Sequence, residues 1–85
     1  MSISKNSETK DVITKDGTVV EALRNTGFRV ELDEKDEEGE TMIVKAVLSG
    51  KLRRFYIRIF TGDRVRLEFS PHDMSLGRIT YRHKK

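Results

Sequence analysis

Apolar and charged side chains alternate at period two in several stretches of the chain, and that alternation is the first guide to its fold. In residues 28–32, Phe28, Val30 and Leu32 fall in one phase and Arg29 and Glu31 in the other, the pattern of a strand with one buried face. Residues 64–69 repeat it with Arg64 and Arg66 outward, and residues 78–82 with Arg78 and Arg82 outward. Phe28, Phe69 and Tyr81 are therefore expected in the core. Residues 17–23 and 41–47 are rich in β-formers and supply two more strands.

Turn chemistry separates these stretches. Residues 24–27 contain Asn25 and Gly27, which tolerate the left-handed backbone of a hairpin turn. The run 33–40 is expected to form an elongated hairpin loop with Gly39 at its bend, and residues 70–77 a second loop. After Ser49, which is placed to cap a helix, residues up to Arg54 are good helix formers and predict one short helical turn. Five strands with a short helix between the third and fourth is the order of an all-β OB-fold barrel. Residues 1–11 lack periodicity and read as a flexible N-terminal tail, which leaves residues 12–85 as a single domain.

Charge changes this picture from a fold to a surface. Residues 33–40 hold six acids against Lys35, whereas residues 41–85 hold eleven Lys or Arg against Asp63, Glu68 and Asp73, so a net charge of +3 conceals a basic half beside an acidic loop. Such a field favours polyanions near the second half. Its centre is residues 48–59, where Lys51, Arg53, Arg54 and Arg58 surround Ser49 and Gly50, and no acid occurs between positions 41 and 62. Cations without compensating acids are the footprint of phosphate binding, and arginine can also grip bidentately and stack on bases. Arg64, Arg66, Arg78 and Arg82 would extend this surface if their strands are neighbours, or pair with Glu31 or Glu68 across strands. Of Phe55, Tyr56 and Phe60 beside the cations, at most one or two are expected to face a nucleic acid, with Phe55 foremost.

Other chemistries find little support. Ser49-Gly50-Lys51 lacks the glycine that a nucleotide-hydrolysing phosphate loop needs five residues earlier, where Lys45 stands. The acidic run lacks calcium-loop spacing, and His72 and His83 have no nucleophile, carboxylate or second ligand at a useful spacing. With no cysteine, no long apolar span and no signal-type apolar core, the chain reads as a cytoplasmic protein, or one of an organelle's matrix or stroma. It reads as a binding protein and not an enzyme, with no cofactor and no metal.

Several blocks together carry a resemblance. Residues 17–23, 28–32, 49–54, 56–59, 61–65 and 70–82 resemble bacterial translation initiation factor one, of the S1-like RNA-binding OB-fold class, in the same order over about residues 12–83. Five strands closing a barrel give no reason to expect more than a monomer, and the resemblance implies that it binds the small (30S) ribosomal subunit at its aminoacyl-tRNA site, contacts rRNA near the decoding bases and a neighbouring ribosomal protein, and cooperates with initiation factors two and three. It implies RNA contacts through Lys51, Arg53, Arg54, Arg58, Arg78 and Arg82, with Ser49 and Gly50 shaping the loop. The chain departs from the family in its acid-lengthened second turn, in Val47-Leu48 where a histidine often follows the alanine, in Arg24 for a proline, and in Phe55 for a polar residue. A stand-alone RNA chaperone of the cold-shock type is the alternative, although the Gly- and Phe-rich strand motifs of that family are missing.

Overall fold

The computed structural model describes residues 12–24 and 27–83. The expected N-terminal tail, and positions 25 and 26 of the first turn, lie outside the described residues. The elements are β1 (Ile13–Ala22), β2 (Gly27–Lys35), β3 (Thr41–Leu48), α1 (Gly50–Arg54), β4 (Arg64–Ser70) and β5 (Asp73–Arg82). They close into a barrel in the order β1-β2-β3-β5-β4, antiparallel throughout except for the parallel β3–β5 pair. The predicted five strands and short helix are thus present, in the predicted sequence.

The inward phases read from the alternation fill the barrel. Phe28, Val30 and Leu32 from β2 meet Val65, Leu67 and Phe69 from β4, with Val19, Ala46 and Ile79 completing the interior. Leu52 of α1 and Ile59 join the same core, which ties the helix and the segment after it to the barrel. Two glycines allow this density. A Cβ on Gly17 would lie 2.5 Å from the Glu31 carbonyl oxygen, and one on Gly77 would lie 3.0 Å from the Phe69 ring. A side chain at 17 would collide with backbone, which requires glycine there, whereas one at 77 would press on the ends of Phe69 and Leu67 and make the packed core give way.

Three irregularities overturn details of the sequence reading. On β5, Ile79 pairs with Leu67 but Tyr81 with Arg66, so Thr80 is an extra residue and the phase inverts after it. This bulge turns Tyr81 outward, where it is half exposed and not core, and places Arg82 opposite the buried Val65. Between β2 and β3, Glu31 pairs with Ile43 and Lys35 with Thr41, so three residues of β2 oppose the single Met42. β2 therefore continues through Asp33 and Glu34, and the expected eight-residue loop shrinks to a turn closed by the Asp36 N–H donating to the Glu40 carbonyl at 3.0 Å. Gly39 does form its bend, with φ of 83°. Residues 70–77 are likewise not a loop. Ser70 pairs with Asp73 across a tight turn at Pro71-His72, and β5 starts at once. Met74 and Leu76 in this stretch point to solvent, which hid the strand from a search for buried alternation.

Candidate nucleic-acid interface

The helix α1 is short, and its ends are both capped by local chemistry. Ser49 Oγ accepts from the Leu52 N–H at 3.3 Å, while the Ser49 N–H donates to the Ile79 carbonyl at 2.9 Å and fixes the helix start on β5. At the other end the Tyr56 N–H donates to the Arg53 carbonyl (3.2 Å) and the Ile57 N–H to the Leu52 carbonyl (3.0 Å), the paired bonds of a Schellman motif. The residue that such a motif puts in the left-handed region is usually glycine; here it is Tyr56, with φ of 57°. Leu52 alone is buried, so Lys51, Arg53 and Arg54 project from the other sides of the helix.

Beyond the helix the chain runs over the barrel end. The Arg58 carbonyl accepts from Arg82 Nη1 at 2.7 Å, Ile59 is buried, and the Phe60 N–H donates to Asp63 Oδ2 at 2.8 Å, which shapes the turn back into β4. The Gly62 N–H docks that turn on the Val19 carbonyl at 2.7 Å. Phe55, Tyr56 and Phe60 are 59%, 89% and 57% exposed, so all three rings are open to solvent. An apolar cleft of about 340 Å³ opens beside them, lined by Phe28, Leu48, Ile57, Ile59 and Phe60 with Arg58. A smaller one of about 220 Å³ lies between Leu52, Ile57, Tyr81 and Arg82.

The predicted site residues divide into two groups. Lys51, Arg53, Arg54, Arg58 and Arg82 gather on α1, the following segment and the end of β5, and Arg78 stands on the outer phase of β5 beside Val47 of β3. Ser49 and Gly50 form the start of the helix as expected, Ser49 buried and Gly50 open to solvent. Phe55 is exposed at the helix end. Among the described residues none of these cations is in an ion pair; Arg53 reaches only the Leu48 carbonyl, at 3.3 Å. Lys45 on the outer face of β3, level with Leu76, belongs with them and was missed, although its outward phase in 41–47 was readable. Arg64 and Arg66 are placed otherwise. Arg64 grips both oxygens of Asp33, at 2.6 and 2.5 Å, and Arg66 Nε meets Asp16 Oδ1 at 3.2 Å. Neither partner is the Glu31 or Glu68 considered from sequence; Glu68 is the register neighbour of Arg78 and forms no ion pair with it.

These pairs mark the acids they hold. The hydrogen bond from Arg64 holds the Asp33 carboxyl below its ordinary value against a smaller effect of burial, and the Asp33 carboxylate raises Arg64 in turn. For Asp16, burial works upward, yet hydrogen bonds from His83 and Arg66 together outweigh it and the net direction is down. A depressed acid stabilises the fold above its unfolded value and loses that contribution as pH falls through its folded one. The melting temperature should therefore hold from neutral pH to about pH 4 and drop below the ordinary carboxylate value of 3.8. A scan of melting temperature against pH should show a shallower acid drop for the Asp33→Asn, Asp16→Asn variant. The difference will be modest, because exposed pairs are screened by solvent.

A closed five-stranded barrel with its helix between β3 and β4, bearing unpaired cations and exposed rings on a stretch, residues 41–62, that holds no acid, defines an OB-fold nucleic-acid-binding protein. No protein-family model matches the chain. Among solved structures it is similar to translation initiation factor one from the Wolbachia endosymbiont strain TRS of Brugia malayi, with 36% identity, a TM-score of 0.70, and coverage of 96% of this chain and 90% of that one. It is also similar to YjeQ from Thermotoga maritima, at 27% identity and a TM-score of 0.60, over 86% of this chain but 23% of that one. The chain belongs to the family of translation initiation factor one.

Proposed function

We propose that the protein binds the small (30S) ribosomal subunit at the aminoacyl-tRNA site through rRNA contacts, occludes that site, and cooperates there with initiation factors two and three. The carrying observation is the set of cations unpaired among the described residues, Lys51, Arg53, Arg54 and Arg58 on the same stretch as the exposed rings of Phe55, Tyr56 and Phe60, with Lys45, Arg78 and Arg82 on β3 and β5, in a chain of this family. The cations neutralise phosphates, and the rings and the cleft beside Phe60 take unstacked bases. A ribosomal protein near the decoding site completes the binding surface. The protein acts as a monomer, by attachment and steric exclusion, and catalyses nothing. Chemical footprinting of small-subunit rRNA tests this: protection confined to the bases around the decoding site supports it, and protection scattered over exposed single strands would favour a chaperone of the cold-shock type.

Tyr56 provides a prediction in which stability and binding move in opposite directions. A non-glycine residue in the left-handed region costs about 1 kcal/mol, and here the ring gains no burial in return. Tyr56→Gly should raise the melting temperature slightly and weaken RNA binding by the loss of one stacked base, about 1 to 3 kcal/mol. Tyr56→Phe should leave both nearly unchanged. Thermal melts alongside RNA titrations of the two variants provide the check.

A further inference from the structure

Arg64 and Arg66 share the outward phase of their strand, as Arg78 does on β5, yet they are held differently. The guanidinium of Arg64 is saturated on one side by both oxygens of Asp33 and touches Thr18 Oγ1 at 3.0 Å. Arg66 meets the same Asp16 oxygen that faces His83 Nε2 at 3.3 Å. Asp33 lies in the stretch of β2 where three residues oppose one of β3, and β2 and β4 flank β1 on either side. We propose that Asp33 and Asp16 are specificity-determining residues: by pairing with Arg64 and Arg66 they withdraw the β1–β4 face from the polyanion-binding surface and confine RNA to the face of β3, α1 and the end of β5. The inference rests on the RNA-binding reading above.

The physics is that of a competing anion. A phosphate approaching Arg64 must displace a bidentate carboxylate and then sit beside the charge it displaced, so the pair offers RNA almost no net attraction. All four side chains are more than a third exposed, so the arginines would be within reach once the acids were neutral. A one-sided footprint favours a partner that presents its phosphates in one arrangement over a flexible strand that can wrap the barrel.

The test uses the full chain and a uridine oligoribonucleotide of about twelve nucleotides, titrated over a range of salt. Asp33→Asn with Asp16→Asn should tighten binding several-fold and steepen the log–log salt slope by about 1.4, the single-strand increment of about 0.7 for each released cation. The charge-matched control is Glu37→Gln with Glu38→Gln on the β2–β3 turn, where neither acid holds a cation among the described residues; its slope should stay near that of the wild type. Adding Arg64→Gln to Asp33→Asn should return the slope to the wild-type value. The ratio of small-subunit to oligonucleotide affinity should fall for the unmasked variant. Equal responses of the two charge-matched variants, or a slope that Arg64→Gln does not restore, would overturn the inference while leaving RNA binding intact. If the wild type binds neither RNA nor subunit, the functional reading fails and this one with it. Should Asp16→Asn disturb the fold, Asp33→Asn alone carries the comparison against Glu37→Gln.

Discussion

Lys51→Glu combined with Arg53→Glu is expected to weaken binding to the small ribosomal subunit by at least on the order of a hundredfold. Both side chains project from α1, and each charge-assisted contact to a phosphate is worth about 1.5 to 3 kcal/mol, so losing two reaches that factor before repulsion is added. If about five cations neutralise phosphates in the wild type, log affinity should fall with log salt at a slope of about −3.5 to −4.5, and the double variant should be shallower by roughly 1.5. The fold should survive, because Leu52, the one buried residue of the helix, and the Ser49 cap are untouched. Filter binding across salt, with circular dichroism as the control, reads both quantities. Unchanged affinity in a folded variant would remove α1 from the interface.

The largest expected effect on stability is that of Phe69→Ala. Phe69 is the largest fully buried side chain, and its ring lies directly under Gly77, the position kept free of a Cβ to admit it. Removing a buried ring costs about 3 to 5 kcal/mol, part of it for the cavity left behind, and a domain this small has a total stability of only about 5 kcal/mol or somewhat more. Urea unfolding should show the midpoint reduced by more than half, or no cooperative transition at all. Tyr81→Ala is the informative contrast, with a loss of about 1 kcal/mol or less, because the bulge at Thr80 has turned that ring to solvent. Similar losses in the two variants would place Tyr81 back inside the barrel.

Tyr81 also shows where sequence reasoning stops. Alternation identified the inward faces of β2 and β4 residue by residue, since an antiparallel strand with one wet face cannot bury its charged positions. It failed at positions where an extra residue inverts the phase, as at Thr80, because a bulge is decided by barrel curvature and has no composition of its own. The same limit made Asp33 and Glu34 look like loop when they continue β2. Their acidity suggested solvent, and the partners that make them acceptable in a strand, Arg64 for one and Lys15 for the other, lie thirty-one and nineteen residues away. The basic cluster was legible for a different reason. Residues 48–59 are contiguous, so their charges stay together whatever the register, whereas the fate of Arg64 and Arg66 depended on which strands became neighbours. The exposure of Tyr56 depended on a helix end closing in a Schellman motif without glycine, for which the sequence carries no sign.

The basic and aromatic face is proposed to occupy one defined ribosomal site. Co-sedimentation of the purified protein with vacant small subunits, with and without a codon-paired tRNA anticodon stem-loop in the aminoacyl site, tests it most directly. Saturable one-to-one binding that the stem-loop displaces is the expected result. Binding that does not saturate, or that is indifferent to the stem-loop, would contradict it.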